Sequence, residues 1–304
     1  MKKLKIVAVL LLAVAVFNDC NSSSDLDFFG NPKKLLIGYY GGANPQQIES
    51  ALEPFRAYLQ KKLDIDVQFY YTSDYSSVTD ALKAKKIQMA YFTAFAYVIA
   101  TRKPGLTPVA TMGVKGKPAT YHSIIFTDTK TGLKTMADVK DRSKDLSLCF
   151  VDKTSTTGLL VPCAYLNSIG LNPDSAFRQT FYAGSLKASV KAVKSQKADI
   201  GCSSLERGLN LLIREDSVKK DDIVVLWTSV PVPFEAVAAR SDLNKDFIKK
   251  VQDAYLSAAK DDFPAFSKYV NLIWPNSETM SYVPVQDNMY NLLRKAAANT
   301  SFIK

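Results

Sequence analysis

The sequence predicts an α/β protein built from mostly parallel sheets with helices on both faces. Three observations carry this reading. Short apolar runs alternate with amphipathic stretches from Lys34 to about Arg240, the signature of repeated strand–helix units. The chain has 304 residues, 47% of them hydrophobic and 22% charged, which suits one large globular domain or two moderate ones. Polar loops at Asp74–Ser77, Tyr91–Ala94, Asp152–Thr157 and Ser203–Glu206 follow apolar runs, at the strand ends where such sheets bind ligands.

The N-terminus stands apart from this pattern. Lys2, Lys3 and Lys5 precede an apolar run, Ile6–Phe17, which is too short for a bilayer span and has the length of a secretory signal. Residues 1–19 therefore read as a signal peptide and 20–33 as a polar tether. Cys20 follows the apolar run and precedes Asn-Ser-Ser-Ser, which resembles the acylated cysteine of a bacterial lipoprotein. The residue before such a cysteine is normally small, and here it is Asp19. Acylation is the favoured reading, with plain cleavage as the alternative. Either way the chain is expected to be exported, periplasmic or held at a membrane by lipid.

The elements then run in order. Lys34–Tyr40 reads as a strand, and Ile48, Leu52, Phe55, Leu59 and Leu63 form the apolar stripe of the helix after it. Ile65–Tyr71 and Ile87–Phe92 are strands, each followed by a helical stretch. Val109–Gly113 and Ser123–Phe126 are further apolar runs. Leu146–Val151 leads into a helix over Gly158–Ile169, and Phe181-Tyr182 into one over Ser185–Ser195 with Ser185 as its cap. Ala198–Cys202, the helix Ser204–Ile213 and the strand Ile223–Thr228 follow; Pro231 and Pro233 break the chain before Ala236–Ala239. From Asp242 onward the pattern is helical, with Asp242 or Asn244 as the first cap.

Charge and motif content exclude several function classes. Net charge is +10, but the cations are scattered or belong to the N-terminal segment, and no basic stripe with interleaved aromatics points to nucleic acid. Cys149, Cys163 and Cys202 have no zinc-ligand spacing, and His122 is the only histidine, so neither a metal nor a cofactor is expected. The three thiols read as small buried side chains. No phosphate-loop, dinucleotide, zincin or hydrolase-elbow motif is present, and no carboxylate pair or nucleophile–base pair stands out, so no enzyme is expected.

One stretch is more informative. Asp152–Pro162 places Ser155, Thr156 and Thr157 where a helix begins. Unpaired amides and partial positive charge at a helix start, with hydroxyls added, suit a small oxyanion. A simple helix cap is the competing explanation.

This stretch, Asp-x-x-Ser-Thr-x-Gly-x-Leu-Val-Pro, resembles the phosphonate-binding periplasmic component of bacterial ABC importers. Asp74-Tyr75, Tyr121-x-Ser123, Ala183-Gly184 and Trp227-x-Ser229 add to the resemblance. The resemblance implies a type II periplasmic binding protein of two α/β lobes joined by a two-strand hinge. Lobe one would be 34–125 plus 238–304, lobe two 126–237, with crossings near Ser123–Asp128 and Phe234–Arg240. It implies phosphonate oxygens held by Ser155, Thr156 and Thr157, with Tyr75 and Tyr121 at the site. A second family tyrosine falls on Phe92, beside Tyr91, and a family histidine falls on Ser185 or Leu186. Two acids that meet the amine of aminoalkyl phosphonates fall on Glu206 and Glu235. For Glu206, a first-turn helix acid is an equally good account. The expected function is capture of a phosphonate, an aminoalkyl phosphonate included, or a related small anionic or zwitterionic solute. The partner is an inner-membrane permease, with the binding protein a monomer. The alternative is an exported sensor or adhesion lipoprotein of the same fold.

Overall fold

A computed structural model describes residues 25–40, 45–274 and 277–300. The signal-peptide reading, Cys20 and the first part of the tether lie outside the described residues. In chain order the strands are β1 (Leu35–Tyr40), β2 (Val67–Thr72), β3 (Met89–Phe92), β4 (Leu106–Val114), β5 (Lys117–Pro118), β6 (Thr120–Tyr121) and β7 (Ser123–Asp128). They continue with β8 (Ser147–Phe150), β9 (Gln179–Tyr182), β10 (Ile200–Ser204), β11 (Ile223–Thr228), β12 (Val232–Pro233), β13 (Ala236–Arg240) and β14 (Met280–Val283).

The strands sort into two sheets and a ribbon. Lobe one carries a seven-stranded sheet ordered β14-β4-β13-β3-β1-β2, with β5 on β4. Lobe two carries a five-stranded sheet ordered β11-β7-β10-β8-β9. Between them β6 and β12 pair antiparallel through Tyr121–Val232 and Thr120–Pro233. By sheet membership we place the crossings at this ribbon, slightly before the expected positions, because all of β7 already pairs in lobe two.

Both sheets are mixed, where mostly parallel sheets were expected. β1 pairs parallel with β2 and β3, and β8 pairs parallel with β9 and β10. The strands that arrive from the other lobe, β7 and β13, run antiparallel to both their neighbours. The physical reason is direct: a chain crossing the hinge enters its new sheet from the ligand-facing end, opposite to strands fed by local helices.

The core follows the pleat. In lobe two, Ile125, Leu148, Phe150, Ile200 and Cys202 pack toward the helix Val161–Ser168. Their sequence neighbours Ile124, Phe126 and Cys149 pack on the other face, toward the helix Leu186–Lys194, as a side-chain period of two requires. Cys149, Cys163 and Cys202 are all buried free thiols. Lobe one has one continuous core around β1, β3, β13 and the helices Pro45–Leu63 and Lys245–Asp261.

Three segments depart from the expected pattern. Residues 25–33, read as tether, fold against lobe one: Asp25 pairs with the buried Arg240 at 2.6 Å, and Leu26 bridges to Pro32. Met280–Val283 is a strand inside a region read as helical, an edge partner of β4. The helix Met136–Arg142 was not anticipated, although its capping box, Thr135 with Asp138, is visible in the sequence.

Candidate functional site

The junction after β8 is a tightly built helix start. Asp152 accepts from the amide and hydroxyl of Thr154 at 2.8 and 3.0 Å. Ser155 Oγ accepts from the Gly158 amide at 3.1 Å, so this hydroxyl is a helix cap. The first turn, Thr156–Leu160, is a π-turn running into the helix Val161–Ser168; such turns often mark functional sites. Pro162 has no N–H to continue the wide turn, and the Thr157 carbonyl accepts instead from Ser123 Oγ at 2.7 Å. Ser123 is in turn held by Ser229, whose Oγ accepts from the Ser123 amide at 2.9 Å. Gly158 is required here, because a Cβ would sit 2.2 Å from Val151 Cγ2.

One hydroxyl of the run, that of Thr156, reaches the other lobe. Ser155, Thr156 and Thr157 are all buried. Thr156 Oγ1 accepts from the Phe95 amide at 2.9 Å, and Thr93 Oγ1 donates to the Thr154 carbonyl at 2.7 Å. Thr93 caps the helix Ala94–Ala100 of lobe one. Two helix starts, one per lobe, thus meet head to head. Tyr40 OH also reaches the Gly184 carbonyl at 2.6 Å, and Arg214 reaches the Asn271 carbonyl at 3.1 Å. The lobes are closed on each other.

Beside this junction lies the residue that sequence reading missed. Arg207 follows β10 in a second π-turn, Leu205–Asn210, capped by Ser204. Its side chain is 11% exposed, and its guanidinium pairs through Nη1 with Glu235 Oε1, whose side chain is 6% exposed. It also lies 5.1 Å from the centre of the Phe234 ring. Burial opposes its charge, but Glu235 and the phenols of Tyr91, Tyr269 and Tyr121 outweigh this and raise its pKa further. Arg207 Nε, Glu235 Oε2 and Tyr91 OH are buried with no hydrogen-bond partner among the described residues. In the sequence Arg207 stands just past the polar loop Ser203–Glu206, as a first-turn cation of the predicted helix next to Glu206.

The two candidate acids do not share one environment. Glu206 turns to His122, meeting its Nδ1 at 2.6 Å and its amide at 2.9 Å. Glu235 turns to Arg207. Tyr91 and Tyr121 border the Arg207–Glu235 pair, and Tyr121 contacts Thr156. Phe92 points to the opposite face of its strand and packs on Tyr97. Tyr75 begins the helix Tyr75–Lys83 under an Asp74 cap and lies over Tyr40 with ring centres 3.9 Å apart. Ser185 caps the helix Leu186–Lys194.

Tyr40, Tyr75, Ser185, Leu186, Arg207 and Tyr269 line an interlobe cavity of about 490 Å³. Arg207 connects this cavity to the buried pair. Burial pushes Tyr40 up to about 12 and raises Tyr75 and Tyr269 as well. The phenols are therefore neutral donors at neutral pH. Together with Arg207 and a helix N-terminus, the arrangement suits a small anion enclosed between lobes.

Residues 37–290 match the family model for the periplasmic substrate-binding protein of phosphonate ABC transporters. The chain belongs to this family. It is 24% identical to the phosphonates-binding periplasmic protein of Escherichia coli over 229 residues, 75% of this chain and 67% of that one. It is 26% identical to the phosphate-import protein PhnD of Mycolicibacterium smegmatis over 242 residues, 76% of this chain and 73% of that one. PhnD1 of Prochlorococcus marinus, solved with methylphosphonate, superposes with a TM-score of 0.72 at 18% identity, covering 88% of this chain and 98% of that one. Membership makes this chain the exported solute-binding component of an ABC importer, with a membrane permease as partner and transport as its role.

Proposed function

We propose that the solute is a phosphonate or a close phosphorus oxyanion, bound between the lobes at the Thr156–Arg207 junction. The observation that carries this is Arg207, a nearly enclosed cation at the interlobe cavity with an N–H that has no partner among the described residues. The relatives named above, which carry phosphonate and phosphate in their names, support the same class. Thr156, Thr157, Tyr75, Tyr91 and Tyr121 supply further donors. On opening, separation of the two helix starts would free Thr156 Oγ1 and the Phe95 amide for the oxyanion. Ser155 acts as the helix cap, and Phe92 packs within lobe one. Ser185 helps to shape the cavity wall.

An aminoalkyl phosphonate is the less favoured member of the class. Its amine would have to share Glu235 with the Arg207 guanidinium, which already occupies Oε1, and Glu206 is held by His122. Calorimetric titration with methylphosphonate, 2-aminoethylphosphonate, phosphite and phosphate tests the proposal. Methylphosphonate or a similar oxyanion should bind, and Thr156→Val should weaken it at least tenfold while thermal unfolding stays cooperative. Failure of every phosphorus oxyanion to bind below millimolar concentration would sink it.

A further inference from the structure

Resting on the phosphonate reading above, we infer that Arg207 and Glu235 form a donor–acceptor pair that selects the singly protonated form of the oxyanion. The two side chains meet through one atom each, Nη1 and Oε1. Among the described residues, each keeps one buried polar atom unpartnered, Nε on Arg207 and Oε2 on Glu235. The first can only donate, and the second, as part of an ionised pair, can only accept.

A fully ionised oxyanion offers acceptors alone. It satisfies the Arg207 N–H but sets a negative oxygen against Glu235 Oε2 in an enclosed site, where repulsion and an unmet polar atom both count. A singly protonated phosphonate offers both partners: a P–O⁻ oxygen accepts from Nε, and its P–OH donates to Oε2. Tyr91 OH, also unpartnered and facing the pair, is free to serve either oxygen. A sulfonate carries no proton near neutral pH, so the same pair discriminates against it.

The groups around Glu235 are Arg207 and the phenols of Tyr75, Tyr91, Tyr121 and Tyr269, with Tyr282 and Tyr290 beyond them. All of these phenols are raised by burial and stay protonated through neutral pH. The Glu206–His122 pair lies beyond Tyr121. Methanesulfonate, which does not titrate, reports any contribution from such protein groups.

The test is titration of the whole protein with methylphosphonate and methanesulfonate between about pH 6 and about pH 9. Relative to methanesulfonate, methylphosphonate affinity should fall about tenfold per pH unit once its second proton leaves. Glu235→Gln should flatten that slope and narrow the preference over sulfonate. Equal affinity for both ionisation states overturns the inference, as does methanesulfonate binding as tightly as methylphosphonate. Tight binding of 2-aminoethylphosphonate alone, with Glu235 required, would also overturn it, by placing an amine on Oε2. If Glu235→Gln does not fold, the slope of the unaltered protein decides. Methylphosphonate binding without a slope leaves the phosphonate reading standing, whereas no phosphonate binding at any pH removes that reading itself.

Discussion

At the scale of residues, ion pairs on this molecule differ in kind. Lys249–Asp253 is more than half exposed on both sides, and such pairs contribute about 0–1 kcal/mol. Arg207–Glu235 is enclosed, so its desolvation cost is large and its partners depend on each other. Arg207→Met should destabilise the fold by about 3–5 kcal/mol, because it strands a buried carboxylate. Arg207→Met combined with Glu235→Leu should recover most of that loss, yet neither variant should bind the solute. Urea unfolding midpoints with calorimetry check this; a double variant no more stable than the single one would refute the account. Arg207 was hard to recognise because, in sequence, it is one more helix cation beside an acid. Its meaning comes from Glu235, and that of Glu206 from His122; both partners are distant in the chain. Tyr75 and Thr156 are candidates on local motifs alone, which is why they could be named without a distant partner.

At the scale of elements, caps and periodicity were largely readable. Ser185 and Asn244 cap the helices their positions suggested. Met280–Val283 was not readable, because an edge strand is defined by pairing with β4 rather than by its own pattern. Residues 25–33 were misjudged for a related reason: their polar composition hides a specific cluster. Arg240 holds Asp25 and Asp242, and Lys85 joins Asp242 at 2.9 Å. Hydrogen bonds from Arg240 depress Asp242 to about 2, below its ordinary 3.8. A depressed carboxylate stabilises the fold above its unfolded pKa and loses that contribution as pH falls through the folded value. The melting temperature should therefore drop between about pH 4 and about pH 2, and Asp242→Asn should flatten this part of the profile. An identical acid limb in both proteins would show that the cluster does not contribute.

At the scale of the whole molecule, the lobes are joined by a short ribbon and shut by a few polar contacts. Arg214 closes from outside the cavity, donating from lobe two to the Asn271 carbonyl of lobe one. One such bond is worth about 0.5–1.5 kcal/mol. Arg214→Met should thus raise the open population and weaken solute affinity by about two- to tenfold, with no change in the site. Small-angle scattering of the solute-free variant should show a larger radius of gyration. Unchanged affinity and radius would mean that this contact does not govern closure.

The position of β13 has a consequence for the birth of the protein. It lies between β3 and β4 in lobe one, although all of lobe two separates it from them in the chain. A chain emerging N-terminus first presents β3 and β4 with bare edges until the intervening lobe has appeared. Lobe two, continuous from one crossing to the other, can fold first. Lobe one is finished only when the last quarter of the chain arrives, so during export it is the half that needs protection from aggregation.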